Sequence, residues 1–386
     1  MFNTFTNLNQ APIDTWQDLT SSVQIGQKIT HQNCCQLAAA TALQGIGWVS
    51  PNPLVGAVFV CKDGRLLGYG AHKQYKYEHA ERNALKNIDP SELEGGTAYV
   101  TLEPCSHQGH QPSCAQLLKP LKLKTIFYGQ QDPNPKVAGQ GLHILRKAGM
   151  KCQQDPLLHE LSTRLTEAFF HNLKTKKPYV AMKVACSLDG KAAYPGDSRH
   201  FLTGSRSRQY GHWLRQFYDA IVVGADTVLQ DNPTLNVRLD NLRISHPLRV
   251  VLDPKGKAFK PGLNLTQTQE QRTLWMTCEK TLPIQGVEHI QLPLCGTRFD
   301  VDSLLTTLWD QGIRSLLLEG GSYLWESFLN EHAVQKLHLF QAPQILGSQG
   351  ICWSGRHAFQ APMIIKNPNT LSLDQDILTE GNVEYG

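Results

Sequence analysis

The chain has 386 residues, a formal net charge of +4 and 41% hydrophobic residues. That length suits two domains, and that composition gives each a core. The charge is spread along the chain, and a cluster such as Lys174, Lys176 and Lys177 reads as a solvated linker, so nucleic acid is not the expected partner. Ten cysteines at irregular spacing in so large a chain argue against a disulfide framework and for buried, catalytic or metal-bound thiols. No stretch reaches the length of a membrane span, and the N-terminus lacks a basic start and an apolar run. A cytoplasmic location without a membrane partner is therefore expected.

Residues 1 to about 30 are polar, lack a strong period and read as a loosely ordered extension. The Ala- and Leu-rich run 34–43 predicts a helix, which Ser50-Pro51-Asn52-Pro53 cannot continue. Residues 54–61 and 66–70 predict two strands around a Lys62-Asp63-Gly64 turn. Residues 79–88 predict a helix with Ala80, Ala84, Leu85 and Ile88 on one side. Strands follow at 97–102 and 124–128, and helices at 114–118, 141–148 and 157–173. This alternation predicts a layered α/β domain with a partly parallel sheet. A basic stretch ending in Pro178 marks a boundary, giving an extension (1–30), a first domain (31–176) and a second (177–386). The pattern then restarts, with buried strands predicted at 179–186, 219–223, 248–252, 314–318 and 336–340.

Chemistry concentrates first at His79-Ala80-Glu81, Pro104-Cys105 and Cys114. One His and two Cys leave the fourth tetrahedral position of a zinc ion open to water, as in catalytic sites. Zinc brings the pKa of that water toward neutrality. Glu81, two residues after His79 on the first turn of a helix, can approach the water without ligating the metal. Zinc deaminases divide the work in this way, although their two cysteines stand two residues apart and these stand eight apart. A closed structural zinc would recruit His107 or His110 as a fourth ligand and leave Glu81 without a task. Thiols without metal are the other alternative, but Pro104-Cys105 follows a strand end, where active-site loops lie.

In the second half, three predicted strands end in Lys-Val-Ala-Cys-Ser-Leu-Asp-Gly-Lys (183–191), in GADTVLQDNPTLNVR (224–238) and in Leu318-Glu319-Gly320-Gly321. Glycines there allow close approach of a phosphate or pyrophosphate. None is a GxGxxG signature, so these residues by themselves define only a ligand crevice at strand carboxyl ends.

The segments TLEPCSHQGHQPSC (101–114), PNPLVGAV (51–58), GYGAH…EHAE (68–81) and QDPNPKVAGQG (131–141) together resemble the bifunctional deaminase/reductase family of riboflavin biosynthesis. The second-half motifs, in order, resemble its reductase half. The resemblance implies an α/β chain, with an N-terminal cytidine-deaminase-like three-layer α/β/α domain and a C-terminal dihydrofolate-reductase-like domain. It implies Zn2+ on His79, Cys105 and Cys114, Glu81 as proton carrier, and Asn52, His72 and Asn134 around the substrate. It implies NADPH at Ala185, Thr227, Asp231, Gly320 and Gly321. Lys183 would stand near the reacting substrate, with Ser198, Arg215, Leu235, Arg238 and Glu319 as substrate positions. The expected partners are a phosphorylated pyrimidine and further copies of the chain, with no nucleic acid.

The sequence departs from the family's pattern at three places. Lys76 stands where the family has Gly. The run His110-Gln111-Pro112-Ser113 replaces a fixed cation followed by Thr-Pro-Pro, which predicts a weaker grip on phosphate. The run 198–203 replaces Ser-x-Trp-Ile-Thr, with His200 or Phe201 in place of the Trp. Two alternative readings are a nucleic-acid base deaminase with an accessory domain, and a deaminase whose reductase half has lost activity.

Overall fold

The computed structural model describes residues 20, 22–106, 112–134, 138–194, 201–239, 245–279, 282–355, 359 and 361–386. The chain divides between Thr175 and Lys176 into two compact units.

The first unit contains helices α1 (His31–Ala42), α2 (Ala80–Leu85), α3 (Cys114–Leu118), α4 (Gln140–Lys147) and α5 (Pro156–Thr175). Its strands are β1 (Gly56–Val60), β2 (Leu66–Ala71), β3 (Thr97–Leu102), β4 (Thr125–Gln130) and β5 (Lys151–Gln154), in the sheet order β2-β1-β3-β4-β5. Strand β1 pairs antiparallel with β2 and β3, while β3, β4 and β5 run parallel. Alternation along β1 builds both outer layers. Ala57 and Phe59 join Ala80, Ala84, Leu118 and Leu142 on one face. Val58 and Val60 join Leu37, Ala38 and Leu158 on the other. The result is a three-layer α/β/α unit.

Two glycines seat α2. A Cβ at Gly70 would lie 2.4 Å from the Ala84 nitrogen, and one at Gly68 would lie 2.6 Å from the Ala84 carbonyl oxygen. Only bare backbone lets the helix come this close to β2, and that closeness fixes where the start of α2 points.

Residues 22–30 correct the expectation of a loose extension. The Gly26 and Ile29 amides donate to the Leu66 and Gly64 carbonyls, and Leu66 donates back to Gln27. Val23 and Ile29 pack on the core, and Thr30 caps α1 through the Asn33 amide. Their polar composition hid the few apolar side chains that anchor them.

The second unit centres on a nine-stranded sheet. Its strands are β6 (Tyr179–Ser187), β8 (Ala220–Gly224), β9 (Leu248–Leu252), β10 (Thr273–Thr277), β11 (Glu288–Gln291), β14 (Ser315–Leu318), β15 (Lys336–Ala342), β17 (Met363–Leu373) and β18 (Asp376–Tyr385). Short strands β7 (Lys191–Ala193) and β16 (Ile351–Cys352) pair with each other, as do β12 (Leu294–Cys295) and β13 (Arg298–Phe299). The large sheet runs β11-β10-β9-β8-β14-β6-β15-β18-β17, parallel from β11 to β15 and closed by antiparallel β18 and β17. Helices α8 (Val301–Asp310) and α9 (Ser322–Asn330) cover one face, where Val180, Met182 and Val184 of β6 meet Leu304, Leu308 and Phe328. On the other face Ile221, Val223 and Trp275 pack on Val228 of α7 (Ala225–Asp231). Lys183 and Ala185 belong to that face by alternation, and helix α6 (Ser205–Arg215) reaches Lys183 at Gly211.

Candidate active sites

His79 is the N-cap of α2 and its side chain makes no capping bond. The imidazole is therefore free to turn toward the loop after β3. Its Nδ1 lies 3.6 Å from the Cys105 Sγ and 3.4 Å from the Cys114 Sγ. Cys114 opens α3, where its amide donates to the Cys105 Sγ at 3.3 Å and the Ala115 amide donates to the Cys105 carbonyl at 3.0 Å. The Ser113 hydroxyl also donates to that carbonyl, at 2.7 Å. These bonds hold Cys105 against the start of α3. Hydrogen bonding from the Cys114 thiol, and secondarily from His79, lowers the Cys105 pKa, while the same bond, and then burial, raise that of Cys114, so the pair holds one thiolate and one thiol until a metal displaces the Cys114 proton.

The donor set fits zinc. Ligands about 2.0–2.3 Å from a tetrahedral ion lie roughly 3.3–3.8 Å apart. The His79–Cys105 and His79–Cys114 separations of 3.6 and 3.4 Å fall in that range. Glu81 is buried in the first turn of α2, and its carboxyl hydrogen-bonds the Cys114 thiol. Burial raises its pKa, as does the negative charge on Cys105.

His72 forms the adjoining wall, its ring centroid 5.4 Å from that of His79. Its Nδ1–H donates to the Glu78 carbonyl at 3.0 Å, which leaves Nε2 to accept from Asn52 Nδ2 at 3.1 Å. The network thus assigns one tautomer, and burial lowers the His72 pKa in support of the neutral ring. Asn83, unnoticed in the sequence, donates from α2 to the Ala71 and Glu78 carbonyls and ties this loop to the helix.

Asn134 lies in a loop organised by Glu103, which sequence reasoning also missed. The buried Glu103 carboxylate accepts from the amides of Asp132 (3.3 Å), Gly139 (2.9 Å), Gly141 (3.1 Å) and Leu142 (3.4 Å). Glu103 stands two residues before Cys105, so one short segment anchors both the Asn134 loop and a zinc ligand. An acid between a strand and Pro-Cys was the available signal. His107, His110 and Gln111 lie outside the described residues.

The second crevice lies at the carboxyl ends of β6, β8 and β14. Arg215 closes a bidentate pair with Glu319, Nε to Oε1 at 2.6 Å and Nη2 to Oε2 at 2.8 Å, and its Nη1 donates to the Asn236 carbonyl at 2.7 Å. Burial alone would raise the Glu319 pKa, but the Arg215 charge overrides it and holds the carboxylate at about 2. Lys183 adds a cation above the Phe340 ring, 5.7 Å from its centroid, and burial lowers its pKa against the pull of Glu319. The Arg215 fork is spent on Glu319, whereas Arg238 is exposed and bonded to Thr234 and Asn236.

Thr227 and Gly321 face each other, a Cβ at Gly321 lying 4.0 Å from the Thr227 Oγ1. Among the described residues, apart from its chain neighbours, no atom lies within 4 Å of a Cβ placed at Gly224. This open, glycine-lined cradle fits a dinucleotide phosphate. Ala185 is half-buried on β6, Gly320 lies against Leu324, and Asp231 is exposed at the end of α7. Leu235 has its side chain in the core and a φ of +53°. Phe201 is exposed under the Arg208 guanidinium, 4.9 Å from its ring centroid. Ser198 and His200 lie outside the described residues.

A His-Cys-Cys cluster with an adjacent buried glutamate, on a three-layer α/β/α unit, defines a zinc deaminase of the cytidine deaminase class. It is joined in one chain to an α/β reductase. The comparisons agree with both halves. Residues 28–130 match the cytidine and deoxycytidylate deaminase zinc-binding region, and residues 178–378 match the RibD C-terminal domain. The chain is 39% identical over 363 residues to the riboflavin biosynthesis protein RibD of Actinobacillus pleuropneumoniae, covering 91% of this chain and 95% of that protein. It is 33% identical over 336 residues to RibD of Escherichia coli strain K12, covering 82% of this chain and 89% of that one. The solved structure of Acinetobacter baumannii RibD superposes with a TM-score of 0.78 at 33% identity, over 92% of this chain and 99% of that one. The Thermotoga maritima diaminohydroxyphosphoribosylaminopyrimidine deaminase/5-amino-6-(5-phosphoribosylamino)uracil reductase does so at 0.78 and 34%, over 91% and 98%. The chain belongs to the RibD family, the bifunctional deaminase/reductases of riboflavin biosynthesis, whose cofactors are Zn2+ and NADPH. Among the described residues no helix is long and apolar enough to cross a membrane.

Proposed function

We propose that the first unit hydrolytically deaminates 2,5-diamino-6-ribosylamino-4(3H)-pyrimidinone 5′-phosphate. The second unit then reduces the ribosyl group of 5-amino-6-(5-phosphoribosylamino)uracil to ribityl. The observation that carries the reading is the convergence of His79, Cys105 and Cys114 beside the buried Glu81.

Bound zinc supplies a Lewis acid and a water acidified toward neutral pH. His79, Cys105 and Cys114 hold it. Glu81 accepts the proton of the attacking water at its carboxylate and returns it to the departing ammonia. Its raised pKa suits a group that must both take and give a proton. Neutral His72, fixed by Glu78, and Asn52 present polar edges to the pyrimidine. Asn134 acts from the loop that Glu103 clamps.

NADPH supplies the two reducing electrons. Thr227, Gly320, Gly321, Ala185 and Asp231 receive it. Lys183 holds a proton at Nζ for the reduced product, and its lowered pKa eases release. Glu319 meets the substrate, with Arg215 holding its carboxylate charged. The exposed Arg238 is the cation available to the ribose phosphate. Ser198 and Leu235 complete the substrate set.

The ten cysteines are all unpaired and the net charge is +4, which supports a reducing cytoplasmic setting and a small-molecule substrate instead of nucleic acid. A homo-oligomer is the expected assembly, to be measured by light scattering. The reading is tested by supplying the diamino-pyrimidinone phosphate with NADPH and following ammonia and NADPH absorbance together. Ammonia release that precedes NADPH oxidation is the expected result. NADPH oxidation without ammonia would reverse the order of steps, and neither signal would overturn the substrate.

A further inference from the structure

A second group of ligand-type side chains in the first unit is made of residues that belong to neither crevice. His31 and Cys35 stand one turn apart on α1, and Asp155 directly precedes α5. The His31 Nε2 is 2.8 Å from the Asp155 Oδ2 and 3.8 Å from the Cys35 Sγ, which is 3.5 Å from the Asp155 Oδ1. We propose that these three residues form a second divalent-metal site, of the zinc class, that staples α1 to α5.

The donor set of imidazole, thiol and carboxylate suits a borderline ion such as zinc. The Cys35–His31 and Cys35–Asp155 Oδ1 separations are already those of a tetrahedral ion's ligands; the 2.8 Å contact uses the other oxygen, Oδ2, so ligation through one oxygen requires the carboxylate to turn and that contact to open by about 0.5 Å. The first two parallel the 3.6 and 3.4 Å of the deaminase centre. The outer contacts are those that orient metal ligands. The His31 Nδ1 is 3.1 Å from the Tyr99 hydroxyl, and donation there leaves the Nε2 lone pair for an ion. The imidazole packs edge-on against the stacked pair of Phe127 and Tyr99, with centroids 4.8 and 5.3 Å away. The Leu158 amide donates to the Asp155 Oδ1 at 2.9 Å, fixing the carboxylate. Without an ion, His31 pairs with Asp155 at 2.8 Å and the buried Cys35 thiol donates to the Asp155 Oδ1, so an ion bound here takes the place of both hydrogen bonds and draws the proton from a thiol whose pKa burial, and then Asp155, push up. Cys35 is buried while His31 is partly exposed, so the fourth position opens to solvent. Binding replaces the thiol S–H and the His31 Nε2–H···Asp155 hydrogen bond by three metal bonds: the thiol proton leaves to water, and the ring proton passes from Nε2 to Nδ1, where it is donated to the Tyr99 hydroxyl.

The test uses the full chain, stripped of metal with a chelator, reloaded with Zn2+ or Co2+ and passed through gel filtration before elemental analysis. Two ions per chain are expected in the parent, and one in His31→Ala and in Asp155→Asn, which keeps an oxygen for the Leu158 amide. None of these residues belongs to the deaminase pocket, so His31→Ala should release ammonia within about twofold of the parent, which certifies its fold. With Co2+ the thiolate charge-transfer absorption should rise through two equivalents in the parent and one in each variant. Zn2+ should also raise the parent's melting temperature more than that of Asp155→Asn. One ion in the parent, or two in His31→Ala, overturns the site. If His31→Ala does not fold, the Co2+ endpoint of the parent decides alone.

Discussion

The two crevices manage charge in opposite ways. In the deaminase unit, three donors from the starts of two short helices and one loop converge, so a cation completes the site. In the reductase unit the central pair of opposite charges is already made, with Arg215 locked on Glu319 by two bonds. The first site presents its donors already spaced for an ion, and a bound ion would add its own bonds to that order. The second is ordered before any ligand arrives. Damage to the first should therefore act through metal and proton transfer, and damage to the second through positioning and stability.

Cys105→Ser should break the contrast most sharply. It should remove the deaminase zinc and all ammonia release while NADPH oxidation, with deaminated substrate supplied, is unchanged; elemental analysis beside both assays checks it. Glu81→Gln separates metal from proton transfer. Metal content should hold while ammonia release falls by ~10²–10⁴-fold, the usual worth of a positioned acid–base. Lys183→Met should lower the turnover of reduction by about 10²-fold and leave deamination untouched. Glu103→Gln turns an acceptor into a partial donor facing four amides. Losing buried hydrogen bonds of about 1–3 kcal/mol should raise the deaminase KM more than it lowers kcat, with zinc retained.

The smallest effect is a pH dependence of the reductase unit's stability. The Glu319 carboxylate titrates at about 2 when folded, below its ordinary value. A depressed pKa stabilises the fold above the unfolded pKa of roughly 4.3, and that stabilisation is lost as pH falls from there through the folded value. Urea unfolding monitored from pH 6 to pH 2 should show the loss, and Glu319→Gln should flatten it.

The same contrast explains what could be read from the chain alone. His79, Glu81, Cys105 and Cys114 fall within short segments, and zinc restricts their chemistry so tightly that a few residue types at fixed positions suffice. Lys183, Arg215 and Glu319 lie on separate elements, and only a family resemblance joined them. The buried strands β1, β3, β4, β6, β8, β9, β14 and β15 followed from apolar runs, whereas the equally buried β10 did not. The short β5 and the exposed hairpin of β17 and β18 escaped, because half-polar strands carry little pattern of their own.

The sequence by itself determined the chemistry on offer: which side chains can ligate, carry a proton or approach a phosphate, and the alternation that makes two α/β units. Only the tertiary structure decided which of them meet. The seating of α2 on Gly68 and Gly70, the Glu103 clamp, the commitment of Arg215 to Glu319 and the convergence of His31 and Cys35 on Asp155 all depend on contacts between residues distant in the chain. Local propensity carries no record of such contacts, because packing and hydrogen bonding across elements fix them after the elements have formed.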